Sequence, residues 1–512
     1  MNLAGRCVLF LRQLRFIPVI LLGLISTLPV SATTYYLSTA GSDYNPGSLS
    51  YPWKTFSHAT PRLRAGDTLI VRDGTYTGSN SGYIRVSCGL SGQNGTGSLP
   101  ITIQAEHERQ AFIKGNGTAN PVTIQHCSYW QVIGLHLEDG DYPYSQTNTN
   151  SVIELDWDSY LTLKRNILAH NNRYFNTHLV NGYYTSHTLM EENEFYYYHR
   201  HAINLSYGGY NVVRRNYFNS RYYADIPGGR ASEVPDRGDS AISLYPDHDS
   251  IIENNIAENG EDTMDIEAAY VPYASDNEKF YGNISLGDEY GVLDKARGSS
   301  DGYTAHNVLY QDIVIINPKY VGAYWRSAAS ATCTHCSFIV NGSSPISNFS
   351  ADRDPHDTGS GSYTVNVNNS LAINANGVGA YGFFVNTASG GAWYGGLSKA
   401  HAYNNYINVS ARGLSQVNIS SYNPYLGSCL VWIPNSSPLK GAGTNGTDIG
   451  ANVLHRYQNG VLTTTRLWDA VTGQFPHGAT VRGLNDVAGS SAFDVNLRLH
   501  VYSSGCSFPS GF

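Results

Sequence analysis

Methionine is nearly absent (3 residues), charged side chains make up 14% of the 512, and no sustained basic run occurs. Sparse charge beside 52 Gly and 39 Tyr argues against a helical protein and for many short strands joined by turns. A formal charge of −8 without a cationic stretch removes the usual ground for nucleic-acid binding. It still admits an acidic polymer at a local cationic site. Beyond residue 32 no segment is apolar and long enough to span a bilayer, so no membrane association is expected.

The first residues read differently. MNLAGRCVLFLRQLR carries three arginines and no acid, FIPVILLGLISTL is apolar, and Val30-Ser31-Ala32 ends in small residues. This pattern predicts a secretory signal peptide over 1–32, cleaved after Ala32, and a protein secreted to the extracellular space or periplasm. Export permits disulfides among Cys88, Cys127, Cys333, Cys336, Cys429 and Cys506. Cys333-Thr-His-Cys336 has no second Cys/His pair at ligand spacing, so a disulfide or two idle thiols fits better than zinc.

One pattern recurs: a β-favouring run, an asparagine, then an apolar residue. It aligns at Asn166, Asn193, Asn216, Asn255, Asn283, Asn307, Asn369 and Asn405. A period in the twenties built of strand-like segments predicts a β-solenoid, an all-β right-handed parallel β-helix. The asparagine is expected to take the left-handed bend at a corner and to bond with its counterpart one coil on. A short amphipathic stretch between Trp53 and Leu63 precedes the strand Asp67 to Val71. That opening resembles secreted β-helix polysaccharide lyases and epimerases, in which a short helix caps the first coil. The coil is expected to fill 33–435. SSPLKGAGTNGTDIGA resembles a segment closing many exported β-helix proteins, and 436–512 is expected to form an irregular cap.

Residues 259–270 read NGEDTMDIEAAY, with Glu261, Asp262, Asp265 and Glu267 inside seven positions. A gapless alignment from Asn255 and Asn283 sets Met264 and Ile266 inward and the acids outward, with Lys295 directly over Glu267. The coil before it aligns Asp239 over Glu261. One outer face then carries Asp239, Glu261, Asp262 and Asp265, with Lys295 and Arg297 one coil on. The same alignment drops Asp294 into an inward slot, which implies that the strand ends or bulges there. Clustered oxygens from neighbouring coils suit Ca²⁺; the alternative is a solvated acidic face.

At these residues the chain resembles polysaccharide lyase family nine, the β-helix pectate lyases and their relatives. The resemblance implies Asp239, Glu261, Asp262 and Asp265 as calcium ligands and Lys295 as base, with Arg297 beside it. Glu261 and Thr263 stand where that family has Asp and Gly. The implied reaction is β-elimination from a uronic-acid polymer. Separately, Arg200, His201 and Tyr245 are candidate substrate-binding residues of the same cleft, with a structural role for the isolated histidine as the alternative.

Two other readings rest on other residues. Asp354-Pro355-His356-Asp357 matches a motif of alginate C5-epimerases, with His356 in proton transfer. The dense Tyr/His/Arg stretch over 173–229 fits either a glycan-binding surface or aromatic stacking along the coil. A coil exposes strand edges only at its ends, which favours a monomer.

Overall fold

The computed structural model describes residues 32–78, 82–89, 91–116, 119–138, 151–170, 177–196, 198, 200–219, 240–258, 268–295, 307–326, 330–340, 345–353, 362–374, 380–386, 392–409 and 413–468. Residues 1–31, nearly all of the expected signal peptide, lie outside them.

Three long parallel sheets of 14, 12 and 12 strands account for nearly all the regular structure. Successive strands go to different sheets, and every third strand returns beside its predecessor. Thr162–Lys164 lies in sheet I, Ile167–Ala169 in sheet II and His178–Tyr183 in sheet III. Leu189–Glu191 then pairs with Thr162–Lys164, one coil on. This is the right-handed parallel β-helix that the repeat predicts.

Short strands suffice because each coil buries its inward residues on those of its neighbours. Leu163, Met190, Val213, Ile252 and Phe280 occupy one register column and are at most 1% exposed. At the N-terminal end a one-turn helix, Phe56–Ala59, closes the core with Phe56 and Ala59; the Thr55 side chain caps it by accepting from the His58 N–H.

Asn166, Asn193, Asn216, Asn255 and Asn283 are fully buried and form a continuous ladder. Each Nδ2 donates to the Oδ1 of the next at 3.0 to 3.1 Å, and each Oδ1 also accepts the backbone N–H of the asparagine before it. The left-handed bend belongs to the preceding residue, Arg165, Glu192, Arg215, Asn254 and Gly282, rather than to the asparagine. Asn307, Asn369 and Asn405 do not extend the ladder, because a coil's corners all favour the same polar residues. Asn307 bonds Asn277 at another corner, Asn369 holds the bend itself, and Asn405 leads into a strand of sheet III.

Strands of the coil run from Thr34 to Val417. Leu430, Trp432, Ile433, Leu439, Ile449 and Trp468 then pack along the outer face of sheet II, on Ile284, Val314, Ile316 and Leu371. A hairpin, His455–Gln458 with Val461–Arg466, is pinned by the Tyr457 hydroxyl donating to Asp312 at 2.5 Å. Cys88 is bonded to Cys127 and Cys333 to Cys336, which decides the Cys-x-x-Cys pair as a disulfide. No helix among the described residues is long and apolar enough to cross a membrane.

Asp294 does sit inward, yet the strand Tyr290–Lys295 neither ends nor bulges there. The side chain is 0% exposed; Oδ2 accepts from the Tyr310 hydroxyl at 3.4 Å and Oδ1 has no partner among the described residues. Burial pushes its pKa up to about 8, so the carboxyl is held as the neutral acid. A folded-state pKa raised above the unfolded value gives stability present at low pH and lost as pH rises through about 8. Asp294→Asn mimics the neutral acid. Its melting temperature is expected to match the wild type at pH near 3, below the ordinary aspartate value, and to exceed it at pH near 9 by about 2 °C or more. An identical offset at both pH values in thermal melts would remove the buried-acid account.

Candidate functional site

Alternation along sheet III assigns its faces. Val180, Ile203, Ile242, Tyr270, Val292, Ala323 and Phe349 share one register column and point into the core. Residues between them face outward and form a polar and aromatic surface that changes sign along its length.

Early coils present Glu154, Asp156, Asn181 and Asn204. Asn181 Nδ2 donates to Glu154 Oε1 at 2.8 Å, and Asn204 Nδ2 to Asn181 Oδ1 at 2.9 Å. Burial pushes the Glu154 carboxyl up to about 7 despite the Asn181 and Ser151 hydrogen bonds. Later coils present cations. Lys295 is in register with Arg326, and Arg326 with Asp352.

Aromatic rings hold this cationic end in place. Lys295 Nζ lies 5.2 Å from the Tyr273 ring centroid, and Tyr273 packs on Tyr245 at 4.6 Å. The Arg326 guanidinium is 5.5 Å from the Tyr324 ring, whose hydroxyl donates to Asp352 at 2.6 Å. Burial, then that bond, raises the Tyr324 pKa and keeps the phenol protonated. Among the described residues Lys295 has no carboxylate partner. A half-buried ammonium over an aromatic face is stabilised without being neutralised.

The register corrects the gapless alignment. Lys295 is bridged to Tyr273, not to Glu267, and Ser240 is paired with Ala268, not with Asp262. Both offsets are six residues. Their cause is the connection from sheet II to sheet III, which runs from Glu258 to Ala268 in one coil but only from Leu286 to Tyr290 in the next. In sequence the acidic run falls between Glu258 and Ala268. Asp239, Glu261, Asp262, Asp265, Glu267 and Arg297 lie outside the described residues, as does His356.

Arg200 and His201 stand at the entry to the strand His201–Ser206, at the opposite edge of sheet III from Lys295. His201 is 7% exposed and stacks on His178 at 5.0 Å; its Nδ1 bonds Ser240 Oγ at 2.6 Å. Burial pushes His178 down to about 3 and His201 well below the ordinary histidine range, so both rings are neutral. Tyr245 shares the outward face with Lys295; the histidine pair is largely enclosed.

Arg326, Tyr273, Tyr324 and Asp352 join the site although sequence reasoning did not single them out. A signal existed: in VGAYWR the buried Ala323 and Trp325 alternate with Tyr324 and Arg326, which strand periodicity sends outward. A separate group, Asp73, Glu106 and His107, sets three ligand atoms within 4.8 Å of one another. Asp73 already bonds His107 at 2.9 Å and Glu106 pairs with Arg72 at 3.2 Å.

No protein-family profile matches the chain. It is 28% identical over 141 residues to pectate lyase PEL9 of Emericella nidulans, covering 24% of this chain and 33% of that protein. It is 33% identical over 85 residues to the uncharacterized protein YwoF of Bacillus subtilis, covering 17% and 16%. The chain thus spans a third or less of the length of these curated relatives. Among solved structures it is similar to pectate lyase Pel9A, with a TM-score of 0.40, 13% identity and coverage of 82% and 96%. It is also similar to XylC in complex with xylose, with a TM-score of 0.48, 11% identity and coverage of 77% and 87%. In topology the chain is a right-handed parallel β-helix, and in sequence it resembles pectate lyase PEL9 over about a quarter of its length.

Proposed function

We propose that this chain is an exported, calcium-dependent lyase that cleaves a uronic-acid polysaccharide by β-elimination and acts as a monomer. The observation that carries the proposal is the in-register pair Lys295 and Arg326 on the outward face of sheet III, with no carboxylate opposite Lys295 among the described residues. The resemblance to pectate lyase PEL9 supports it, and the disulfides agree with an oxidising compartment.

Arg326 offers a planar fork to the substrate carboxylate. Lys295, once it has given a proton to solvent, takes the proton from the carbon bearing that carboxylate. The freed electron pair forms a double bond to the neighbouring carbon, whose glycosidic oxygen departs and picks up a proton from solvent. Asp239, Glu261, Asp262 and Asp265 would hold the calcium ion: an oxygen-only set from two connections that lead into the paired residues Ser240 and Ala268 fits that metal. When bound, calcium lowers the charge of the substrate carboxylate as a Lewis acid.

The test is ultraviolet absorbance of the new ring double bond on pectate, alginate and rhamnogalacturonan. Absorbance is expected to rise on one of them, to vanish with EDTA and to return with added Ca²⁺. A rise that EDTA leaves untouched would remove calcium and keep the lyase. A second reading, an alginate-type epimerase, draws on the strand Ser347–Asp352, which ends in register with Arg326 just before the His356 motif. Epimerisation would give no absorbance but a changed ratio of uronate stereoisomers.

A further inference from the structure

The corner from sheet III to sheet I contains two residues with left-handed backbone in most coils. At the second of these positions the later coils use Asp249, Asn277 and Asn307, residue types that tolerate the conformation. The earlier coils use Tyr129, Tyr160, His187 and Tyr210 there, and His126, Trp157, Tyr184 and Tyr207 at the first position, with φ between 52° and 59° throughout. Bulky rings in this region of backbone space are uncommon, and such outliers concentrate where function holds them.

The rings stack from coil to coil. Trp157 lies 4.1 Å from Tyr184, which lies 5.5 Å from Tyr207; Tyr129, Tyr160, His187 and Tyr210 follow at 4.7, 4.6 and 5.0 Å. Stacking along the coil, one of the two readings the sequence left open, is therefore present. It does not account for the exposure: Trp157 is 55% exposed and Tyr210 50%. Trp157 heads its stack, with Tyr184 on one face and no other ring contact among the described residues. It is the exposed one of the seven tryptophans.

We propose that this corner is a docking ledge for neutral sugar residues of a polysaccharide, with the open face of Trp157 as its platform. Indole faces take the apolar face of a pyranose ring, and flanking polar groups orient its hydroxyls. Asp156, adjacent in the chain and on the outward face of the same strand, accepts hydroxyl hydrogen bonds and repels carboxylates. The ledge therefore selects neutral sugars, while the Lys295 and Arg326 end selects uronates. Tyr183 ties the two together: it belongs to the outward face of sheet III and stands edge-on to Tyr184 and Tyr207 at 4.6 and 5.5 Å. At roughly 4.8 Å per strand, the ledge and Lys295 are about 24 Å apart. The continuity of these surfaces rests on the lyase reading of sheet III; the ledge itself does not.

The test is affinity electrophoresis of the purified protein in gels containing neutral galactan, arabinan or xyloglucan, with pectate alongside. One neutral polymer is expected to retard the wild type. Trp157→Ala should weaken that retention about tenfold, and Trp157→Phe should keep most of it. The same polymer should shield tryptophan fluorescence from acrylamide quenching. Thermal melts give the structural readout, in which Trp157→Ala should stay close to the wild type. Unchanged retention in Trp157→Ala, or none on any neutral polymer, overturns the ledge, as does loss of retention that only tracks a lower melting temperature. Trp157-dependent retention without elimination on any polymer would keep the ledge and overturn the lyase.

Discussion

Lys295→Ala is expected to lower the rate of double-bond formation by about a hundredfold to ten-thousandfold, the usual contribution of a positioned base. The loss should appear in kcat, because Arg326 and the aromatic rings would still hold the polymer. Lys295→Arg should not restore activity, since a guanidinium stays protonated at any working pH. Removal of Lys295 should cost little stability, about 0.5 kcal/mol or less, because its ammonium rests over Tyr273 at the edge of the face and closes no ion pair among the described residues. Steady-state assays and melts on the same preparations separate the two effects. A variant that keeps its rate within about threefold would place the base elsewhere, and the connection carrying His356 would be the next segment to mutate.

The largest expected effect on stability comes from the asparagine ladder. Asn216 Oδ1 accepts from the N–H and Nδ2 of Asn193, while its own Nδ2 donates to Met190 O at 2.9 Å and to Asn255 Oδ1 at 3.0 Å. Asn216→Ala removes all four bonds inside a site with no solvent access, and leaves the Asn193 N–H and one Nδ2 hydrogen of Asn193 without an acceptor. At about 1–3 kcal/mol for each buried orphan, the expected loss is roughly 2–6 kcal/mol. Asn216→Asp keeps the acceptor but loses both donations, so it should fall between. Because each coil contacts only its neighbours, the damage should be local. Hydrogen exchange is expected to show deprotection centred on Leu189–Glu191 and Val212–Arg214, fading within a few coils. A denaturant midpoint unchanged from the wild type would mean that the ladder merely fills space.

The fold was legible because a coil repeats one physical problem. Every turn must bury an apolar strand and satisfy a buried corner, so the same residue types return at each asparagine. The site was less legible, for the complementary reason. The ladder fixes where sheets I and II begin, but the connection into sheet III varies in length from coil to coil. Two coils that align at Asn255 and Asn283 are six residues out of step by Ala268 and Tyr290, and the gapless alignment carried that error to Lys295. Lys295 and Tyr245 were still placed on the outward face, since strand parity survives an even shift. Arg326 has no acidic neighbour in sequence to mark it as part of a charged site. Asp294 breaks the apolar alternation of its strand, and its inward placement is real.

One connection leads from Tyr196 to His201, the next from Asn219 to Ser240, and the strands they enter still pair residue for residue from Ile203 and Ile242. The insertion leaves no trace in the ladder or the core. The molecule behaves like a spool of fixed pitch along which one seam has been left open: material added at the seam changes what surrounds the outward face without changing the thread count beneath it. Grafting a foreign segment between Asn219 and Ser240 should therefore alter which polymer is accepted while the melting temperature stays put. The same graft at Asn216, one corner earlier, should unravel the spool.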